Sequence, residues 1–344
     1  MLTAVFTAAL ALLLLGAGGA VLRQNTLVYG GSAAACAVAF LAALLWLLGG
    51  GEPERLVLPV GLPWLPVQLR LDALSAFFLL LVDGLGLLAS IYAVGYGRHE
   101  EEPQRVLPFY PAFLAGMNFA LLADDAFSFL VAWEFMSLAS WLLVLASHRQ
   151  PETRRAAYIY LVMAAFGTAA LILAFGVLAG PEGGYAFEQM RQRPDAFWPA
   201  TLIAFLALVG AGSKAGLAPL HVWLPLAHPA APSHVSALMS GAMTKVALYA
   251  IIRILFDLLD SVVWWWGLVF LLVGGGSALL GVLFATVQRD LKTLLASSTI
   301  ENLGVVIAAV GLAIAFKANG LPLLGAVALV AGLFHALNHA VFKG

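Results

Sequence analysis

The stretch ALVGAGSKAGLAPLHVWLP, residues 207–225, places Lys214 at the end of a long apolar run and Pro219 five residues later. A lysine inside an apolar helix is costly, and a proline breaks the helix that carries it. The coincidence of the two calls for a functional reading. The run begins near Trp198, and His221, Pro225, His228, Pro229, Pro232 and His234 follow the lysine.

The composition around this stretch identifies the solvent. The chain of 344 residues is 62% hydrophobic and 10% charged, against about 25% charged residues in a soluble domain. That much apolar surface cannot be hidden inside one soluble fold, so the medium is lipid. A spanning helix needs ~20 mostly apolar residues. Eleven such runs lie near 2–22, 29–49, 72–97, 106–123, 125–147, 156–179, 199–217, 233–255, 264–287, 293–315 and 321–341. The fold class read from them is all-α, a polytopic transmembrane helix bundle. The segment HVWLPLAHPAAPSH, residues 221–234, is too short and interrupted to span alone. Residues 1–22 lack a charged leader and run directly into further spans, which favours a retained helix over a signal peptide.

A net charge of −1 gives no argument for nucleic acid. The single cysteine, Cys36, excludes a disulfide framework and any Cys-ligated zinc or iron–sulfur site within this sequence. No cofactor is expected here, and redox centres, if involved, belong to other subunits.

Orientation follows the lysines and arginines of the linkers. With the N-terminus outside, the cytoplasmic linkers carry Arg23, Arg98, Arg105, Arg149, Arg154, Arg155, Arg289 and Lys292, with Lys343 past the last span. The outer ones, though longer, carry Arg55, Arg70, Arg191, Arg193 and Lys317. The expectation is a multi-pass protein of the cytoplasmic (inner) membrane with its N-terminus outside.

Each charge at a helix centre costs ~2.5–3.5 kcal/mol on insertion scales, so each needs a reason. Glu134 lies mid-span in FLVAWEFMSLASWLLV, with Ser137 and Trp141 on its face at i+3 and i+7. Lys214 is in the seventh span and Lys245 in the eighth. Glu301 in the tenth aligns with Thr293 and Ser297 at spacings of four. His335 and His339 share a face of the eleventh, and Asp83 interrupts the third. One ion pair alone would read as helix glue. Acid, lysines and histidines recurring on successive spans mark an ion or proton path. Pro219, lacking an N–H, frees a carbonyl near Lys214, and broken backbone at membrane depth survives where it is buried in protein or lines a wet cavity.

Other signals have plainer readings. GAGSKAG lacks the strand of a phosphate-binding loop, so its small residues serve helix packing. The pair His335/His339 has no HExxH glutamate, so no metal site is read there. Trp264, Trp265 and Trp266 read as an interfacial anchor, Asp72 as a helix-start residue and Arg253 as a snorkelling side chain.

Four stretches together, LVAWEFMSLASWLLV, GSKAGLAPLHVWLPLAHPAAPSHVSALMSGAMTKVALY, RDLKTLLASSTIENLG and LFHALNHAVFKG, resemble the antiporter-like, proton-translocating subunits of respiratory complex I and Mrp antiporters. The SSTIENLG form is most similar to the large membrane subunit of formate-hydrogenlyase and hydrogenase-4-type complexes. The resemblance covers spans three to eleven. It implies an N-terminal part at 1–71 and a translocation core at 72–344, built as inverted five-helix repeats with a broken seventh helix. The second repeat is incomplete, because the sequence stops at Gly344 where the family continues, and a fragment is the favoured reading. By the resemblance, Glu134, Lys214, Lys245, His335 and His339 match the family's proton relay. His221, His234, Glu301, Ser137 and Ser297 are further candidates for lining it, and Pro219 marks the break. The implied mechanism is electrostatic switching: Lys214 holds its proton while paired with Glu134 and passes it to Lys245 when separated. The implied partners are protons (with Na⁺ or K⁺ in an antiporter), the lipid bilayer, and other membrane subunits that supply the driving energy. Cation/proton antiport of Mrp type and a structural scaffold are the alternatives.

Overall fold

A backbone in lipid satisfies its N–H and C=O groups within its own segment, which for these apolar runs means α-helix. The computed structural model of the chain follows that rule and describes residues 1–22, 24–100, 102–193 and 196–344. Arg23, counted above among the inner-linker arginines, lies outside the described residues, as do Glu101, Pro194 and Asp195.

Helices α1 (Leu2–Leu22) and α2 (Asn25–Leu48) precede strands β1 (Glu54–Leu62) and β2 (Leu65–Leu71). Then come α3 (Ala73–Tyr96), α4 (Phe109–Leu122), α5 (Ala126–Val144), α6 (Pro151–Ala179) and the short α7 (Phe187–Gln192). The broken region holds α8 (Phe197–Ala215), α9 (Leu224–Ala230) and α10 (Ser233–Leu238), followed by α11 (Thr244–Arg253). Helices α12 (Trp264–Val287), α13 (Leu291–Ala318) and α14 (Pro322–Lys343) complete the order. Among the described residues, eleven helical spans are long and apolar enough to cross a membrane. The segment 221–234 does not span alone: its α9 continues α8 in one interrupted span, Phe197–Ala230, and the next span opens at Ser233.

Three aspartates start helices by accepting orphan backbone N–H groups. Asp72 takes the N–H of Ser75 at 3.0 Å and donates its own N–H to Ser75 Oγ at 2.8 Å, so the helix-start reading holds. Asp125 caps α5 through Ser128 at 2.7 Å, and Asp290 caps α13 through Thr293 at 2.8 Å.

The all-α helix bundle holds, with one addition between its second and third spans, the antiparallel hairpin β1–β2. Its edge is tied down, because Asp125 also accepts the N–H of Gln68 at 2.9 Å and Asp124 donates its N–H to Gln68 O at 2.8 Å. The N-terminal amine pairs with Glu54 at 2.8 Å. These contacts join only linkers that eleven alternating spans place on one face: the N-terminus, the hairpin and the 123–125 turn. On the opposite face, Glu102 pairs with Arg105 and, at 3.0 Å, with Arg149.

Arg253 differs from its snorkelling expectation. Its side chain is buried, bonding Tyr249 OH at 3.1 Å and Asp257 at 3.0 Å, and Asp257 is also gripped by Arg191 of α7 at 2.8–3.0 Å. Of the tryptophan triplet, Trp264 faces outward but Trp266 is buried and donates to Thr201 Oγ1 at 3.2 Å. The packing role of GAGSKAG is direct: a Cβ on Gly210 would meet Gly167 O of α6 at 2.8 Å.

The contacts divide the chain into two compact units, one of Met1–Leu161 with Ala230–Val246, the other of Val162–Pro229 with Ala247–Lys343.

Candidate functional site

In the second unit, α8 ends by a glycine cap and not at the proline. Gly216 adopts a left-handed φ of +80°, and the N–H groups of Gly216 and Leu217 close on Ser213 O at 3.2 Å and Gly212 O at 3.0 Å. This is the way helices commonly satisfy their last carbonyls. Pro219 follows in the non-helical link, where Ala218 donates its N–H to Ser277 Oγ of α12 at 3.0 Å, and Trp223 Nε1 reaches back to Ser213 O at 2.8 Å. The break is thus pinned at both ends. Lys214 is buried in the last turn of α8, where the carbonyl end of the helix dipole favours a cation. His221 in the link is half-buried and stacks on Phe284 at 5.9 Å.

In the first unit, the second lysine sits at another backbone irregularity. Residues Met239–Met243 form a π-helical turn between α10 and α11, a feature that concentrates at functional sites. The fully buried Lys245 donates from Nζ to Ser240 O at 2.8 Å, and Thr244 Oγ1 donates to the same carbonyl at 2.6 Å. The π-turn presents a carbonyl to a buried ammonium.

Glu134 on α5 is half-buried. Ser137, on its face, donates to Trp133 O at 2.7 Å within its own helix, and one turn on Ser140 contacts Tyr160 OH at 2.6 Å. Tyr160 lies within electrostatic reach of Glu134 and donates to Met243 Sδ, in the π-turn, at 3.5 Å. The reading of the sequence missed Tyr160, since a tyrosine in an apolar run carries no signal of its partner. It links the carboxylate helix to the turn that presents Lys245.

On α14, His335 and His339 part company. His335 Nε2 lies 2.9 Å from Asn302 Oδ1 of α13. Asn302 Nδ2 donates to Ser298 O at 2.8 Å, so its oxygen faces the ring and His335 carries its proton on Nε2. His339 is fully buried against Phe342. Asn302, one residue past Glu301, is a second residue the sequence did not reveal. Glu301 is half-buried and within electrostatic reach of Lys343, which ties α14 to α13 through Leu295 O at 2.8 Å. Ser297 is buried and donates to Thr293 O at 3.0 Å. Asp83 is fully buried on α3 and accepts from Asn118 of α4 at 3.0 Å.

His234, at the first turn of α10, is enclosed by the rings of Tyr29, Tyr96 and Tyr110 at 5.1–5.5 Å, with Glu100 alongside.

Residues 123–343 match the family described as NADH:quinone oxidoreductase/Mrp antiporter, TM, and residues 58–105 match the one described as NADH-Ubiquinone oxidoreductase (complex I), chain 5 N-terminus. The chain is 43% identical to hydrogenase-4 component B of Escherichia coli over 284 residues, covering 81% of this chain and 42% of that protein. It is 32% identical to a Na(+)/H(+) antiporter subunit of Alkalihalophilus pseudofirmus, covering 86% and 37%. It therefore spans less than half the length of these curated relatives. Its fold superposes with a TM-score of 0.82 at 28% identity on the structure of the Mrp complex from Dietzia, over 98% of this chain and 36% of that one. The membrane-bound sulfane sulfur reductase, an archaeal respiratory membrane complex, gives 0.80 at 27% identity, over 98% and 54%.

Proposed function

We propose that this chain, which belongs to the NADH:quinone oxidoreductase/Mrp antiporter transmembrane family, moves protons through its buried ionisable side chains as one subunit of a redox-driven membrane complex. The single observation that carries the reading is Lys245. It is fully buried in a membrane span, and its ammonium is aimed at a carbonyl exposed by a π-turn. A permanent charge with no task would cost ~2.5–3.5 kcal/mol or more there. An ammonium that gains and loses a proton turns that cost into a means of control.

Glu134, Ser140, Tyr160 and Lys245 act together in the first unit, and Lys214, His335 and His339 act in the second. Asn302 engages one ring nitrogen of His335, which leaves the other to take up and release the carried proton. The chain holds no redox centre of its own in this reading. Moving one charge against the membrane potential takes ~2.3 kcal/mol per 100 mV, and that energy comes from partner subunits. The face bearing Arg98, Arg105, Arg149, Arg154 and Arg155 is cytoplasmic, and the N-terminus is outside.

The test uses the assembled complex in inverted membrane vesicles. Glu134→Gln and Lys245→Met should abolish or sharply reduce proton translocation while complex yield stays normal. Wild-type translocation in either well-assembled variant overturns the reading. A strict dependence of translocation on Na⁺ or K⁺ would instead favour cation/proton antiport.

A further inference from the structure

The cage around His234, itself a candidate lining residue from the sequence, is a complete acid–base unit at the edge of the membrane. Tyr29 of α2 places its hydroxyl 3.3 Å from Glu100 Oε2, to which it donates, and 3.4 Å from His234 Nε2. The other atoms of the two groups, His234 Nδ1 and Glu100 Oε1, face each other at 3.8 Å. The three side chains close a triangle. From α3 comes Tyr96, and from α4 comes Tyr110, whose hydroxyl contacts Ser90 at 2.9 Å.

We propose that Glu100, Tyr29 and His234 form the proton-loading site of this chain: Glu100 takes a proton from the aqueous face and passes it through the Tyr29 hydroxyl to His234. This rests on the proton-moving function proposed above and adds where the proton comes from. Exposure sets the direction, since the side chain of Glu100 is 9% exposed and that of His234 is 0% exposed. Glu100 thus meets water and His234 does not. The ion pairs separate the roles further: Glu102, two residues on, is neutralised by Arg105 and Arg149, while Glu100 faces the ring of His234.

The step balances. When Glu100 is protonated, the Tyr29 hydroxyl turns from Glu100 Oε2 to His234 Nε2 and its oxygen accepts from the carboxyl. The carboxyl O–H of Glu100 then breaks as a new O–H forms on Tyr29. The former hydroxyl proton of Tyr29 moves to His234 Nε2. The net change is carboxylic acid plus imidazole to carboxylate plus imidazolium, with the tyrosine unchanged. Three tyrosine rings pack around the imidazole at 5.1–5.5 Å. Burial raises the Glu100 carboxyl to about 7, with the Tyr29 hydrogen bond opposing, so this group takes up and releases a proton near neutral pH. His234 is then loaded at the first turn of the span that carries Lys245.

Tyr29→Phe keeps the ring and removes the hydroxyl. In the assembled complex in inverted vesicles it should lower proton translocation by roughly 10²-fold, the low end for loss of a positioned proton donor. Infrared titration of the purified complex should show a protonated-carboxyl band that is absent in Glu100→Gln and has a midpoint near 7. In Tyr29→Phe that midpoint should move up, since a hydrogen bond favouring the carboxylate is gone. The band decides the case even where a variant assembles poorly. Normal translocation in Tyr29→Phe, or no band assignable to Glu100, overturns the loading site. If Lys245→Met also translocates normally, the function itself fails. If Lys245→Met is dead and Tyr29→Phe is normal, only the loading site fails.

Discussion

Lys245 donates to the carbonyl of Ser240, five residues earlier in its own chain, at 2.8 Å. The α-helix would have used that carbonyl for the backbone N–H of Thr244; here the side chains of Thr244 and Lys245 both address it. The ammonium is thus held in part by main chain.

Replacing Lys245 by methionine should therefore spare the fold. Thr244 still satisfies Ser240, and a buried charge is exchanged for an apolar chain of similar length. Thermal unfolding of the complex should be little changed, since methionine fills a similar volume and the desolvation cost of one buried charge is removed. A marked loss of stability would mean that Lys245 is structural.

His335→Gln separates hydrogen bonding from proton carriage. Its amide can still donate to Asn302 Oδ1, so stability should hold, whereas His335→Leu strands a buried acceptor at a cost of ~1–3 kcal/mol. Translocation should fall in both variants. Translocation rescued by glutamine would assign His335 a purely structural task.

The broken span was legible because its signals are local. Lys214, Gly216 and Pro219 lie within six residues, and each disrupts an apolar helix for its own chemical reason. Even so, Pro219 drew attention that belonged to Gly216, whose left-handed φ ends α8 three residues earlier. Tyr160, Asn302 and Tyr29 were not legible. Each is compatible with a buried helix position, and what each one touches is set by helices far away in sequence. The hairpin was not legible, since residues 54–58 (ERLVL) show no period-two alternation and Pro59 and Pro66 make the segment resemble a loop. Arg253 looked like a snorkelling residue although Asp257 stands four residues on; Arg191 of α7, which closes over the pair, comes from far away in sequence.

Asp257→Ala should be among the most destabilising changes away from the proposed relay. It leaves Arg253 buried and Arg191 largely so, with their shared carboxylate removed, a class of change that costs ~3–5 kcal/mol. Arg191→Ala should cost less, because Arg253 still neutralises the aspartate. Comparing melting temperatures of the two variants checks the order, and equal values would show the clamp to be idle.

Glu100 gives a pH dependence with a definite sign. Its carboxyl is raised from 4.5 to about 7 in the fold by burial, so between these values the folded protein binds more protons than the unfolded one. Stability then falls as pH rises through that window. The wild-type complex should lose thermal stability across the window relative to Glu100→Gln, which cannot titrate. Parallel melting curves for the two would remove Glu100 from the account.

The orientation proposed above predicts the outcome of a reporter fusion after Gln150. That linker concentrates Arg149, Arg154 and Arg155 at a helix end, and such clusters stay cytoplasmic. A cytoplasmic-type reporter should be active there and a periplasmic-type reporter silent. Because the spans alternate and the linker contacts join only same-face segments, the opposite result would invert every linker at once, including the face on which Glu100 loads.

Lys214 supplies the sharpest distinction between carrying protons and holding helices together. It is buried in the last turn of α8, where the carbonyl end of the helix attracts any cation. Arginine satisfies that attraction as well as lysine does, but it stays charged in proteins. Lys214→Arg should therefore assemble well, with complex yield near wild type, and translocate about as poorly as Lys214→Ala. If the residue only balanced charge at the end of α8, arginine would restore translocation and alanine would not. The two variants must be read together with assembly, since a misfolded arginine variant would imitate a failed relay. Near-normal translocation in a well-assembled Lys214→Arg complex would remove this lysine from the proton path and leave it a structural counter-charge to the helix end.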